Sequence, residues 1–167
     1  MEADPVRRLL VAVGAGHTYK YDISDLGKAI APVAMATTGD KAIEAVPGPG
    51  LAYDPTGGRM VAWAGGADVY TLDPDVKVWT KHAGGGAAPT KANSQGTYGR
   101  FRHAGGDLYI AVNRTSENVF FFKLAAKPGA NILTPAKNPK SIANTLPARN
   151  LQGRRIRHNS GFPWSVP

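Results

Sequence analysis

The sequence predicts an all-β chain made of repeated, antiparallel four-stranded units. Three observations favour this fold class. The 167 residues include 20 Gly and 13 Pro, which suits a chain with many turns and few long helices. Residues 59–79 form three short apolar runs separated by tight turns. A similar stretch recurs at intervals of about 50 residues, which indicates a repeat architecture.

The central stretch divides into runs at 60–64, 69–72 and 76–79. The pair Gly65-Gly66 separates the first two runs and supplies the backbone freedom that a tight turn needs. Asp73-Pro74-Asp75 separates the second and third runs with residues typical of turns. The stretch therefore predicts three short strands joined by two tight turns.

The repeat is visible when the opening stretch is shifted by 51 residues, which places residues 9–22 on 60–73 without a gap. A third copy follows, with residues 108–111 and 119–122 in the places of the first two runs. From these matches we predict a complete unit at 50–81, with strands at 50–54, 59–64, 69–73 and 76–81. A first unit at 8–37 lacks its first strand, and a last unit at 98–124 lacks its fourth. The predicted domains are thus the repeats within 1–124 and a tail at 125–167.

The middle unit resembles the blade of Kelch-type (galactose-oxidase-like) β-propellers. The residues that carry this resemblance are the run Met60-Val-Ala-Trp-Ala64, the pair Gly65-Gly66, Tyr70, the turn Asp73-Pro-Asp75 and Trp79. The resemblance implies propeller-type blades, and propellers close a ring of four to eight blades. With fewer than three complete blades, the chain is expected to form an incomplete propeller. Further N-terminal blades, additional copies of the chain (a homo-oligomer) or the tail would then cover its open faces.

Positive charge is concentrated in the tail. Residues 1–124 carry 13 Lys and Arg against 12 Asp and Glu, whereas residues 125–167 carry seven Lys and Arg and no acid. The tail is rich in Pro and poor in apolar periodicity, which predicts an extended or disordered segment. Its densest group could bind an anionic partner, including nucleic acid. The alternative is a solvated tail, which we favour. The group consists of Arg149, Arg154, Arg155 and Arg157.

The composition argues against several classes of chemistry. The chain has no Cys, which excludes thiolate metal sites and the Cys–Tyr crosslink of galactose oxidase. The four His have no metal-ligand spacing, and no phosphate-binding loop or nucleophile elbow is present. We therefore predict no metal, no cofactor and no catalytic residue. No run approaches the ~20 apolar residues of a membrane span, no signal peptide is recognised, and the compartment stays undetermined.

Polar residues of the last unit form the candidate ligand site. Inner strands line the channel of a propeller, and alternation would send Arg100 and Arg102 to the same side of a strand. Together with the adjoining loop they could hold an anionic or sugar-like ligand. The alternative, which we favour, is a solvated strand face. The candidate residues are Tyr98, Arg100, Arg102, His103, Asn113, Arg114 and Glu117.

The favoured function is a non-catalytic recognition module that binds a protein or a carbohydrate through loops between strands. One alternative is a fragment of a propeller-type carbohydrate-active enzyme whose catalytic residues lie elsewhere. Another is a structural or assembly protein whose basic tail binds an acidic partner or nucleic acid. Because one fold hosts many functions, the resemblance alone does not decide between them.

Overall fold

The computed structural model describes residues 1–90 and 96–124 in full, together with the backbone of a strand at Asn131–Pro135. The fold is all-β with antiparallel sheets, as the sequence predicts. Within the described residues, helical structure is limited to two 3-10 turns, Lys41–Ala45 and Tyr98–Arg100. None of the described helices is long and apolar enough to cross a membrane.

The described strands form three sheets, each of which contains four consecutive antiparallel strands. Sheet 1 consists of β1 (Glu2–Asp4), β2 (Leu9–Gly14), β3 (His17–Asp22) and β4 (Val33–Met35). Sheet 2 consists of β5 (Thr38–Gly39), β6 (Gly50–Asp54), β7 (Arg59–Trp63), β8 (Val69–Asp73) and β9 (Val78–His82), in the order β5-β9-β8-β7-β6. Sheet 3 consists of β10 (Gly84–Gly86), β11 (Phe101–Gly105), β12 (Leu108–Ala111), β13 (Phe120–Leu124) and β14 (Asn131–Pro135), in the order β10-β14-β13-β12-β11.

The segment that follows each of the first two sheets adds a short parallel strand to the next sheet. β5 pairs with β9, and β10 pairs with β14. Gly39 in β5 has φ +79°, and a Cβ at this position would collide with the carbonyl oxygen of Trp79. Gly84 in β10 approaches the carbonyl oxygen of Ala67 in the same way. Glycine therefore lets both connecting segments lie directly against the neighbouring backbone.

Sheet 2 lies between the other two sheets and buries both of its faces. Successive side chains of β7 alternate between the two neighbours, as the pleat of a strand requires. The core between sheets 1 and 2 contains Val11, Met35, Ile43, Leu51, Tyr53, Met60, Ala62, Leu72 and Trp79. The core between sheets 2 and 3 contains Ala52, Val61, Trp63, Val69, Phe101, Tyr109, Ala111, Phe120, Phe122 and Leu124. The continuous apolar run of β7, with both faces buried, is the reason that the sequence pattern is clearest here.

Three turns share one design that begins with aspartate. Asp4, Asp54 and Asp73 each accept hydrogen bonds at Oδ1 from the amide groups two and three residues further on, at 2.9–3.4 Å. Pro follows each of these aspartates and presets the backbone of the turn. The fourth residue after the Asp has a positive φ in every case: Arg8 (53°), Gly58 (61°) and Lys77 (58°).

The structure corrects the predicted boundaries of the first and last units. Sheet 1 contains the first strand that the sequence analysis found missing, because β1 pairs with β2 through the register Glu2↔Val11. Sheet 3 contains the missing fourth strand, since β14 pairs with β13. β14 falls within the segment assigned to the tail. The structure thus contains three sheets of at least four strands, whereas the sequence predicted one complete unit and two partial ones.

The ungapped 51-residue shift also needs correction. Residues 14–17 separate the paired residues Val13 and Thr18, whereas residues 64–68 separate the paired residues Trp63 and Val69. The hairpin of sheet 2 is therefore one residue longer. β3 matches β8 at a shift of 51, but β2 matches β7 at a shift of 50. With that shift, Val13 and Trp63 both face the next sheet along the chain.

Candidate functional site

The candidate site is a cleft where the first strands of the three sheets meet. β6 lies beside both β1 and β11, so residues distant in sequence come together along this line. The cleft has a volume of about 340 Å³. Its lining includes Glu2, Gly48, Pro49, Leu51, Tyr98 and Arg102. Two of these six residues, Tyr98 and Arg102, belong to the candidate set predicted from the sequence.

Tyr98 is held at the cleft by a close contact between two loops. The carbonyl oxygen of Gly48 accepts hydrogen bonds from the amides of Thr97 (2.7 Å) and Tyr98 (3.3 Å). A Cβ on Gly48 would lie 3.2 Å from the Tyr98 ring, and a Cβ on Gly96 would lie 2.7 Å from the Gly48 oxygen. Because both glycines lack this atom, the loops touch and fix the position of the ring.

The backbone of Tyr98 is strained and its side chain is exposed. Its φ is +46°, in the left-handed region that a bulky residue rarely adopts. Its residue surface is 66% exposed, which is unusual for a large aromatic residue in a folded chain. Strain of this kind costs on the order of 1–3 kcal/mol and is concentrated at binding and catalytic sites.

Arg102 supplies a charged group beside Tyr98. Its Nε donates to the carbonyl oxygen of Gly99 at 3.1 Å, and a Cβ on Gly99 would lie 2.9 Å from an Arg102 terminal nitrogen. The terminal nitrogens make no hydrogen bond to the described residues, and the side chain is exposed. Glu2 of β1 adds a carboxylate to the lining of the same cleft. The cleft therefore offers an aromatic ring, planar hydrogen-bond donors and an acceptor.

Arg100 has a structural role instead of a place in the cleft. Residues Tyr98–Arg100 form a 3-10 turn, so the predicted strand alternation between Arg100 and Arg102 does not hold. The guanidinium of Arg100 donates to the carbonyl oxygens of Gly96 (2.6 Å), Asn113 (2.7 Å) and Thr97 (3.2 Å). These bonds fasten the turn that carries Tyr98 to the loop after β12.

The remaining candidates divide into two places away from the cleft lining. Asn113 and Glu117 converge on Thr90, whose hydroxyl contacts Asn113 Nδ2 at 2.7 Å and Glu117 Oε1 at 2.5 Å. The hydrogen bond from Thr90 lowers the pKa of Glu117, and Arg114 lies 3.8 Å from the same carboxylate. His103 contacts the carbonyl oxygen of Gly106 at 2.9 Å at the opposite end of β11. The seven predicted residues therefore do not form one site.

Comparison with protein-family models, with curated proteins and with solved structures finds no match. Function is therefore inferred from the geometry of the cleft. The basic residues Arg149, Arg154, Arg155 and Arg157 lie outside the described residues, as do the tail contacts proposed for them. Among the residues that the structure describes, no group of three or more His, Asp or Glu could hold a metal ion.

Sequence reasoning missed Glu2 and the Gly48-Pro49 loop. Both enter the cleft only because β1, β6 and β11 are neighbours, which a local pattern does not reveal. One signal was available, since Pro47-Gly-Pro49 precedes β6 and predicts a rigid bend next to a buried strand.

Proposed function

We propose that this chain is a non-catalytic recognition module of the Kelch-like β-propeller type that binds a protein or carbohydrate ligand at the Tyr98 cleft. The observation that carries this proposal is the exposed side chain of Tyr98, on a strained backbone, in the same cleft as Arg102. Exposed aromatic and arginine side chains are the groups that most often dominate recognition surfaces. The same pair suits the apolar face and the hydroxyl groups of a sugar or the side chains of a peptide.

The propeller assignment is supported by the relation between the sheets. Each sheet is a run of four antiparallel strands in sequence order, and the first strands lie side by side. Sheets 1 and 2 repeat the same turn, in which Asp4-Pro5 and Asp54-Pro55 connect the first strand to the second. In a propeller, similar four-stranded sheets repeat radially, and their first strands lie next to one another.

A second copy of the chain is the proposed means of closing the ring. Leu10 and Tyr21 form one cross-strand pair of sheet 1, and Ala12 and Tyr19 form the next; these pairs lie on the face that points away from sheet 2. They are only partly buried, and no described sheet covers them. Two chains of three sheets each would give six blades, within the range of four to eight that closes a propeller.

We expect light scattering after gel filtration to give twice the 17.6 kDa mass of one chain. Tyr19→Glu should shift the mass to that of the monomer, because a charge would be buried on the apolar face. Lys28→Glu, at a side chain that is 81% exposed, should leave the mass unchanged. A monomeric wild-type chain at all concentrations would contradict closure by a second copy.

Tyr98→Gly should separate recognition from folding. Glycine adopts a positive φ without strain, so the free energy of unfolding should stay constant or rise by up to about 1 kcal/mol. Binding at the cleft should nevertheless be lost. The measurement is a ligand-dependent shift in melting temperature on a panel of glycans and peptides, with wild type and variant side by side.

Val76→Gly is the matched control, because Val76 is 65% exposed but lies in the turn between β8 and β9. This variant should keep all binding to the panel. If Tyr98→Gly retains every melting shift of the wild type, the cleft is not the recognition site.

A further inference from the structure

Sheet 1 has an open face whose residues repeat the faces that sheets 2 and 3 bury. In each sheet, the central hairpin (β2–β3, β7–β8 or β12–β13) places an alanine opposite an aromatic residue. The pairs are Ala12↔Tyr19, Ala62↔Tyr70 and Ala111↔Phe120. In sheets 2 and 3, both members of the pair belong to, or pack against, the core shared with the preceding sheet. In sheet 1 the pair points away from sheet 2, and no described sheet covers it.

The next cross-strand pair of each hairpin is apolar or aromatic in all three sheets. The pairs are Leu10↔Tyr21, Met60↔Leu72 and Tyr109↔Phe122. The members in sheets 2 and 3 are at most 1% exposed, whereas Leu10 and Tyr21 are only partly buried. The face of sheet 1 therefore has the composition and register of a face that another sheet covers.

Sheet 3 has an open face of the opposite kind. Ile110 and Phe121 form the cross-strand pair between the two pairs that are buried against sheet 2, so alternation turns both side chains to the other side of the sheet. Ile110 takes the position of Val11 in sheet 1 and of Val61 in sheet 2, and both valines are 0% exposed against the next sheet. Ile110 and Phe121 are only partly buried, and no described sheet follows sheet 3.

The two open faces are the two halves of a junction that the chain already forms twice. In both junctions, the valine face of the earlier sheet packs against the alanine–aromatic face of the later sheet. Sheet 3 offers the first kind of face, and sheet 1 offers the second. Three sheets are too few to close a ring, since propellers have at least four blades. A second copy of the chain supplies the missing partner of each face.

We infer that two copies associate head to tail, with the Ile110–Phe121 face of each copy packed against the Tyr19–Tyr21 face of the other. This inference rests on the ring closure proposed above, and it adds the second surface, which belongs to sheet 3. The dimer then contains two identical junctions. In the alternative dimer, the sheet 1 faces of the two copies pack against each other, and the sheet 3 face lies outside the interface.

Phe121→Glu tests the inference, because it would bury a charge in both junctions. Light scattering after gel filtration should give the mass of the monomer, as expected for Tyr19→Glu. Ile110→Glu is a second variant of the same face and should have the same effect. Val76→Glu is the matched control, since Val76 is 65% exposed in the turn between β8 and β9, and this variant should remain dimeric.

A mixture of Tyr19→Glu and Phe121→Glu tests the head-to-tail arrangement directly. In the mixed dimer, one junction contains both substitutions and the other contains neither. The mixed dimer should therefore form at a concentration at least about tenfold lower than either variant requires alone. Native mass spectrometry identifies it, because the two substitutions change the mass of the chain by different amounts. Its formation also shows that both variants are folded.

The possible results separate this inference from the closure on which it rests. A monomeric wild-type chain contradicts closure by a second copy altogether. A dimeric wild type with monomeric Tyr19→Glu but dimeric Phe121→Glu and Ile110→Glu overturns only the head-to-tail arrangement, and it assigns the interface to the sheet 1 faces. A mixture of the two variants that stays monomeric also overturns that arrangement.

Discussion

Replacement of Trp63 by alanine is expected to lower the free energy of unfolding by about 3–5 kcal/mol. Trp63 ends β7 and is completely buried between sheets 2 and 3. Its ring lies 6.0 Å from that of Phe101 and 5.7 Å from that of Phe122, and Nε1 donates to the Gly66 carbonyl oxygen at 3.0 Å. Truncation would leave a large cavity at the centre of this core. Urea denaturation measures the change. It is followed by far-ultraviolet circular dichroism, because tryptophan fluorescence would itself be altered by the substitution.

Two further variants test whether the loss of stability comes from removal of the buried Trp63 ring. Trp63→Phe keeps part of the ring volume and should cost less than Trp63→Ala. Val76→Ala removes methyl groups at a residue that is 65% exposed, so its effect should stay within about 0.5 kcal/mol. If Trp63→Ala costs no more than Val76→Ala, then sheets 2 and 3 do not share the described core.

The middle sheet could be predicted from the sequence almost residue by residue. The predicted strands 50–54, 59–64, 69–73 and 76–81 compare with Gly50–Asp54, Arg59–Trp63, Val69–Asp73 and Val78–His82 in the structure. Each boundary is set by a local signal. Asp54-Pro55 and Asp73-Pro74 begin turns whose hydrogen bonds lie within a few residues of chain, so the sequence alone contains the cause.

The strands β1 and β14 could not be predicted with equal ease. β1 has three residues, two of them acidic, and owes its conformation to pairing with β2. The usable signal was the pair Asp4-Pro5, which repeats Asp54-Pro55 at a shift of 50 residues. The one-residue difference between hairpins concealed this match, because the alignment was anchored on Tyr19 and Tyr70 in β3 and β8.

The candidate site was predicted only in part, because it also depends on contacts between residues that are distant in sequence. Tyr98 and Arg102 reach the cleft, but the predicted strand across 98–103 placed Arg100 beside them. The 3-10 turn at Tyr98–Arg100 arises from contacts with the Gly48 loop, which lies about 50 residues away in sequence. The alternation of side chains along a strand cannot predict a turn that forms through contacts with a distant loop.

The second large effect is expected at Glu44, a carboxylate buried between sheets 1 and 2. Its residue surface is 2% exposed, and Oε1 accepts hydrogen bonds from the Thr18 hydroxyl (2.6 Å), the Thr37 hydroxyl (2.5 Å) and Trp79 Nε1 (3.1 Å). Glu44→Ala would remove the acceptor that three buried donors share, and Trp79 Nε1 would keep the more distant Thr18 hydroxyl at 3.3 Å. We expect a loss of about 3–5 kcal/mol in the free energy of unfolding, measured by urea denaturation at neutral pH.

The ion pair with Lys41 is a minor part of this arrangement, because Lys41 is half exposed and lies 3.4 Å from Oε2. Lys41→Ala should therefore cost less than about 1 kcal/mol. A loss in Lys41→Ala equal to that in Glu44→Ala would mean that charge pairing, and not the three hydrogen bonds, stabilises this junction.

The pH dependence gives an independent test of the same group. Burial alone would raise the pKa of Glu44, but the hydrogen bonds from Thr18, Thr37 and Trp79 outweigh it and hold the pKa below the ordinary value of 4.5. A carboxylate with a lowered folded-state pKa stabilises the fold above its unfolded pKa and loses that contribution as the pH falls through the folded value. The stability difference between wild type and Glu44→Gln should thus be constant near neutral pH and shrink below about pH 4.5. A difference that grows on acidification would require a raised pKa and would contradict the hydrogen-bonded carboxylate at the centre of this junction.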